Sequence, residues 1–281
     1  MTGFGGRLRE VLASRGPLCV GIDPHEHLLT AWGLPLSAAG TREFGLRVVD
    51  AAAGRVGIVK PQVSFFERWG SAGFAALEDV LAAARAAGLL VIADAKRGDI
   101  GTTMDAYARA WLTPGSPLEA DAVTLSPYLG VGSLGGTLEY AVEHGKGAFV
   151  LAATSNTEAR RLQGARDDHA ASVAALVVEE VSAFTARTAQ AGEPASVGFV
   201  IGATVDLAQA GLAGPLTPAA PVLAPGFGAQ GAGPEDLTSL AEALASPVVA
   251  SESRSILSAG PTTLAARIAE RAALYPEVEH G

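Results

Sequence analysis

The chain of 281 residues is 49% apolar and 17% charged, which supplies ample material for a core and carries no signature of disorder. A formal net charge of −9 argues against a nucleic-acid binder, because nucleic-acid phosphates demand a basic face. No apolar run reaches membrane-spanning length and the N-terminal MTGFGGRLREVLASRG lacks the apolar centre of a secretion signal, so a cytoplasmic protein with no membrane partner is expected.

Short β-branched or apolar runs recur along the chain at 18–22, 56–59, 89–93, 122–125, 148–152, 197–201, 222–224 and 248–250. They are continuous rather than alternating in hydrophobicity, as expected of parallel strands buried on both faces. The first contains the single cysteine, Cys19, which reads as inert packing because no base stands beside it in the sequence. Between the runs lie segments of helical period. Val173, Leu176, Val177, Val181 and Phe184 predict one face of a long helix ending before Gly192, and Leu237, Leu240, Ala241 and Leu244 predict another. Pro234-Glu235-Asp236 and Pro261 suit the first turns of helices. Eight strands alternating with helices predict a (β/α)8 barrel, one domain over residues 1–281, with a doubly wound open sheet as the alternative.

Functional residues of such a barrel gather at the C-terminal ends of its strands. Here those ends read Asp23-Pro24, Lys60-Pro61-Gln62, Asp94-Ala95-Lys96, Ser126-Pro127, Thr154-Ser155-Asn156, Gly202-Ala203-Thr204, Pro225-Gly226-Phe227-Gly228 and Ser251-Glu252-Ser253-Arg254. The cations are selective. Of 20 basic residues only Lys60, Lys96 and Lys146 are lysines, so a retained Lys points to a task that Arg performs badly, such as giving up a proton. Two of the three stand at strand ends.

The segment 94–103, DAKRGDIGTT, is the strongest local signal. Asp94 and Lys96 are two apart on a strand, so both side chains are expected to enter the barrel mouth. Asp99 follows in the loop, and Thr102 with Asp105 resembles a capping box for the next helix. Carboxylates around a Lys keep it protonated; an ion-pair cluster of purely structural value is the competing interpretation. PGFGAQGAGP, residues 225–234, is Gly-rich and precedes a helix, so its N–H groups can cradle a phosphate, with Arg254 adjacent. Asp23, His25 and His27 have a spacing compatible with metal ligation, but Pro24 breaks the strand and places both histidines on a loop. His144, His169 and His280 read as surface residues.

DAKRGDI resembles the Asp-x-Lys-x-x-Asp-Ile signature of the orotidine 5′-phosphate decarboxylase family. IVKPQVSFFE (58–67) looks like the second-strand segment of that family's longer branch. GIDP, SPYLG, TSN, GAT, PGFGAQG and SRSI match in the family's order, so the resemblance spans residues 21–256. It implies a cofactor-free, metal-free enzyme of pyrimidine biosynthesis that converts orotidine 5′-monophosphate (OMP) to UMP and CO2, with Lys96 as the proton donor. Asp94 would face the departing carboxylate, and Lys60, Asp94, Lys96 and Asp99 would form an alternating network. Asp99 and Thr103 would come from the other subunit of a homodimer. Asp23 and Lys60, helped by Thr103, would bind the ribose, Ser155 the pyrimidine, and Gln230 and Arg254 the phosphate, with Pro225 also among the substrate-binding residues. Two rivals remain. One is a metal-dependent sugar-phosphate decarboxylase or aldolase of the same barrel group, whose second strand ends in an acidic ligand where this chain has Lys60. The other is a barrel that binds nucleotides without catalysis. Ala153, Thr157-Glu158 and Glu252 depart from the family pattern, and residues 157–169 read as a long mobile loop, a candidate lid.

Overall fold

Eight parallel strands close into a barrel in strict chain order in the computed structural model, which describes residues 2–188 and 192–275. They are β1 Leu18–Ile22, β2 Ile58–Pro61, β3 Leu90–Arg97, β4 Ala122–Leu125, β5 Gly147–Ala153, β6 Val197–Ile201, β7 Val222–Pro225 and β8 Val248–Glu252. Helices fill every connection except that between β6 and β7, which is made of turns, so the expected (β/α)8 architecture is present and the open sheet is ruled out. Three strands coincide with the runs seen in the sequence. Others continue past them: β3 runs through the charged residues to Arg97, and β8 runs to Glu252. A sequence reading ends a strand where polarity begins. Backbone pairing does not, because the barrel mouth tolerates polar side chains while the ladder continues through Gly21↔Lys60 and Pro225↔Ser251.

The inward positions of the strands follow the period of two. Their lower layers are apolar: Cys19, Ile58, Leu90, Ile92, Ala122, Phe149, Val200, Leu223 and Val249 form one cluster inside the barrel. The N-terminal helix Phe4–Arg15 closes the floor of that cluster with Phe4, Leu8 and Leu12. Phe4 meets Phe149 edge-on at 5.9 Å between ring centroids, a favoured aromatic geometry. Burial pushes the Cys19 thiol up to about 12, so it is inert packing as expected. On four of the strands the same inward stripe turns polar two residues further along. Ile58 is followed by Lys60 and Gln62, Ile92 by Asp94, Ala122 by Thr124, and Val249 by Ser251 and Ser253. The fold therefore stacks a polar layer on an apolar plug.

Outside the barrel a second, larger cluster packs strands against helices. The helix Pro234–Leu244 buries the four expected residues Leu237, Leu240, Ala241 and Leu244. The helix Val173–Thr188 buries Ala174, Val177, Val181, Phe184 and Thr185, so its apolar stripe is rotated and leaves Val173 and Leu176 half-exposed. Among the described residues no helix is long and apolar enough to cross a membrane.

Candidate active site

The site is built around an irregularity in β3. Ala93 pairs with Val123 and Arg97 pairs with Leu125, so Asp94, Ala95 and Lys96 oppose the single residue Thr124. This bulge aims both charged side chains into the mouth, and it requires Lys96 to adopt a positive φ of 48°, uncommon for a residue with a Cβ. Gly98 then passes so close to β4 that a Cβ would sit 2.3 Å from the Ser126 carbonyl oxygen, which accounts for the glycine of the motif.

Asp94 is the hub. Its Oδ2 accepts from Lys60 Nζ at 2.8 Å, and its Oδ1 accepts from Lys96 Nζ at 2.5 Å and Thr124 Oγ1 at 2.9 Å. Lys60 and Asp94 are both buried, whereas the Lys96 side chain is 47% exposed and faces the cavity. Burial by itself would raise the Asp94 pKa, but the charges of Lys60 and Lys96 and their hydrogen bonds outweigh it and hold the carboxyl far below its usual range. Burial would likewise lower Lys60, and Asp94 and Asp23 outweigh it and hold the ammonium well above the usual lysine range. Gln62 braces the bulge: its Nε2 donates to the Asp94 carbonyl at 3.3 Å and its Oε1 lies 3.4 Å from Lys96 Nζ.

These groups line a cavity of about 550 Å³ at the C-terminal end of the barrel, together with Asp23, Ser155, Pro225, Gln230 and Arg254. Asp23 Oδ2 accepts a hydrogen bond from Ser253, while its Oδ1 is buried without a partner, a group suited to a ligand hydroxyl. Ser155 Oγ donates to Gln230 Oε1 at 3.1 Å, linking the loops after β5 and β7 across the opening. Arg254 is exposed and makes no ion pair with the described residues. The glycine-rich loop reaches the cavity through Gly226, Phe227, Ala229 and Gln230. The helix behind it does not: Asp236 Oδ2 already accepts from Gly233 N at its start, at 2.8 Å. This part of the cavity is therefore lined by the loop and Arg254 rather than by the helix end.

Two predicted site residues lie elsewhere. Asp99 and Thr103 do not line this cavity; the half-buried Asp99 instead accepts from the Ile100 N–H at 2.8 Å. Thr102 caps nothing, because the helix Gly101–Leu112 starts one residue earlier with Ile100 as its N-cap and no side-chain bond. The departures also resolve. Glu252 is fully buried and does not line the cavity, held by Arg271 at 2.6 Å, by Ser255 at 2.7 Å and by the Tyr275 hydroxyl, which together keep it ionised against burial. Residues 157–169 include a short helix, Ala159–Gln163, pinned to the end of β5 by Thr154 N donating to Gln163 Oε1 at 2.8 Å. His25 caps a helix and packs on Phe65 at 4.4 Å, neither it nor His27 lines the cavity, and no group of three or more potential metal ligands is present among the described residues. His144 stacks on Tyr140 at 3.9 Å, and His280 lies outside the described residues. Lys146 is structural: it pairs with Glu119 at 2.6 Å at the opposite end of the barrel, beside a larger cavity of about 1120 Å³ whose Arg7 is also paired, with Asp121. The sequence alone did not single out Thr124, which counting by twos from the inward Ala122 would have found; Ser251, among the strand ends, lines the cavity.

Residues 16–269 match the family model described as orotidine 5′-phosphate decarboxylase / HUMPS family. The chain belongs to this family. An orotidine 5′-phosphate decarboxylase of Corynebacterium efficiens is 48% identical over 277 residues, covering 97% of both chains. One from Salinispora tropica is 49% identical over 267 residues, covering 95% of this chain and 94% of the relative. Among solved structures, a candidate orotidine 5′-phosphate decarboxylase of Streptomyces avermitilis superposes with a TM-score of 0.88 at 45% identity, covering 97% of this chain and 94% of that one. The OMP decarboxylase of Leishmania donovani gives 0.72 at 30% identity, covering 97% and 98%.

The ion-pair geometry sets a pH dependence. A carboxylate with a depressed pKa stabilises the fold above its unfolded value, about 3.9, and loses that contribution as pH falls toward the folded value. Lys60, with a raised pKa, contributes fully below about 10.4 and loses the contribution only above it. The unfolding free-energy difference between wild type and Asp94→Asn is therefore expected to shrink as pH falls below about 4. Denaturant titrations carried into acid check it, and a difference that does not shrink there would contradict an ionised Asp94.

Proposed function

We propose that this enzyme decarboxylates OMP to UMP and CO2, with Lys96 as the group that stabilises and then protonates the ring carbon. The observation that carries the reading is Asp94 gripped by two ammonium groups, 2.8 and 2.5 Å away, at the end of a barrel cavity. Breaking the bond to CO2 leaves an electron pair on a ring carbon with little resonance help. A fixed cation beside that carbon lowers the barrier without solvent having to reorganise, and one such preorganised group is typically worth roughly 3–4 kcal/mol. The pair then takes a proton from the Lys96 ammonium, which solvent restores. Arg could supply the charge but not the proton. Asp94 sits where the substrate carboxylate departs, and it fixes both lysines.

Asp23, with its orphaned buried Oδ1, and Lys60 bind the ribose hydroxyls. Ser155 meets the pyrimidine, while Pro225, Gln230 and Arg254 frame the phosphate end. Holding the distant phosphate lets remote binding energy position the ring. Lys60 also separates this reading from the metal-dependent sugar-phosphate rival. A buried ammonium at the end of β2 repels a divalent cation where those relatives place an acidic ligand. Relatives 48–49% identical over most of the chain carry the decarboxylase name.

The reading extends to a homodimer with shared sites. Asp99 and Thr103 lie outside their own cavity, and the neighbouring loops expose Ile100 at 62%, Tyr128 at 77% and Leu129 at 53%. Apolar side chains of that size left in water beside a charged site mark a surface for another protein. A two-fold axis there uses the same patch twice and lends each Asp99 to the opposite site.

Purified wild type is expected to consume OMP, followed by its ultraviolet absorbance, and to keep doing so after exhaustive chelation. Lys96→Arg should bind UMP yet turn over at least about 10²-fold more slowly, the scale of losing a general acid. Activity lost in EDTA and restored by Mg2+ would support the metal-dependent rival, and near-normal turnover by Lys96→Arg would remove its role as donor.

Sharing of sites has its own test. Lys96→Ala and Asp99→Ala, each inactive alone, are mixed equally and allowed to exchange subunits. Half the dimers are then mixed, each with one doubly defective and one intact site, so about a quarter of wild-type activity should return. Recovery at background means that Asp99 serves its own subunit.

A further inference from the structure

We propose that Thr124 is a positioning residue for the decarboxylation, fixing Lys96 and Asp94 relative to each other without touching the reacting atoms; the inference rests on the reading given under Proposed function. The bulge creates the need. Between the paired positions Ala93↔Val123 and Arg97↔Leu125, β3 holds three residues and β4 only Thr124. Within this interval the regular ladder cannot bond every backbone group of β3. The Lys96 N–H is satisfied instead by the Thr124 side chain, whose Oγ1 accepts it at 2.9 Å. The same hydroxyl donates its proton to Asp94 Oδ1, also at 2.9 Å.

A hydroxyl is one of few side-chain groups that can accept from one partner and donate to another through a single atom. Here the two partners are the backbone of the proposed acid and the carboxylate that holds its ammonium. Lys96 Nζ reaches the same Oδ1 at 2.5 Å, so Thr124, Asp94 and Lys96 close a ring of hydrogen bonds. Lys96 is the only residue of β3 at positive φ, a conformation that persists only when the surroundings hold it. Thr124 is 1% exposed, so water offers no substitute partner once the hydroxyl is removed. Its neighbours on β4, Val123 and Leu125, are buried among the helices and serve ordinary packing. Thr124 alone on that strand points inward at the level of the charges.

The experiment compares Thr124→Val, which keeps the shape and loses the hydroxyl, with Thr124→Ser, which keeps the hydroxyl and loses the methyl. Thr124→Ala serves if the valine variant does not fold. The valine variant is expected to lose on the order of 10²-fold in kcat, the scale of a small misplacement of a reacting group. KM for OMP and the affinity for UMP should stay within about threefold, because the binding groups are untouched. Thr124→Ser should recover most of kcat. Wild-type kcat in the valine or alanine variant, or equal impairment by valine and serine, would show that Thr124 merely packs and overturn the inference. A wild type inert toward OMP would instead remove the decarboxylase reading and this inference with it. An active wild type with an unimpaired valine variant overturns this inference alone.

Discussion

A buried carboxylate stays ionised only where positive charge is held against it, and Asp94 is held by two ammonium groups on either side. Such pairs are weak devices for stability. Desolvating the charges costs several kcal/mol per ion, and well-packed apolar residues of the same volume often do as well or better. In the proposed reaction the arrangement would act as a field already in place when charge develops on a substrate, where solvent would otherwise have to reorganise. Several features of the mouth hold that field. Burial of Lys60 fixes a charge that cannot leave, Gln62 and Thr124 brace the bulge, and the exposed Lys96 turns the held charge toward the cavity.

The barrel makes this possible by separating two jobs along each strand. Lower inward positions are filled by a dry plug that ends in Phe149 and the N-terminal helix. Upper inward positions carry Lys60, Asp94, Thr124 and Ser251. Both sets lie on one face because the side-chain period of a strand is two. Rigid strands therefore hold the charges, while the loops after β5 and β7 meet across the opening through Ser155 and Gln230.

Much of this was readable before any coordinates. Continuous apolar runs announced parallel strands, their ends held Lys60, Asp94, Lys96, Asp23, Ser155, Pro225 and Arg254, and the family resemblance added Gln230; all of these line one cavity. What escaped was three-dimensional. Nothing in the order Asp94-Ala95-Lys96 reveals that three residues of β3 oppose one of β4, so the need for Thr124 was invisible. Glu252 looked misplaced beside a phosphate because its partners, Arg271 and Tyr275, are about twenty residues away in sequence but adjacent in space. Thr102 fitted a local capping pattern that the loop overrode by starting the helix at Gly101. Local rules fail where tertiary contacts decide.

The central claim is that Lys60 is a permanent cation bound to an ionised Asp94. With three lysines in the chain, selective labelling with 15N-lysine yields a spectrum of three side-chain signals, and Lys60→Met assigns the one at issue. Titrated by NMR, Lys60 Nζ is predicted to keep the signature of an ammonium above the ordinary lysine value of about 10.4. A Lys60 that loses its proton at or below that ordinary value would show that burial outweighs the Asp94 charge, and the account of the site would fail.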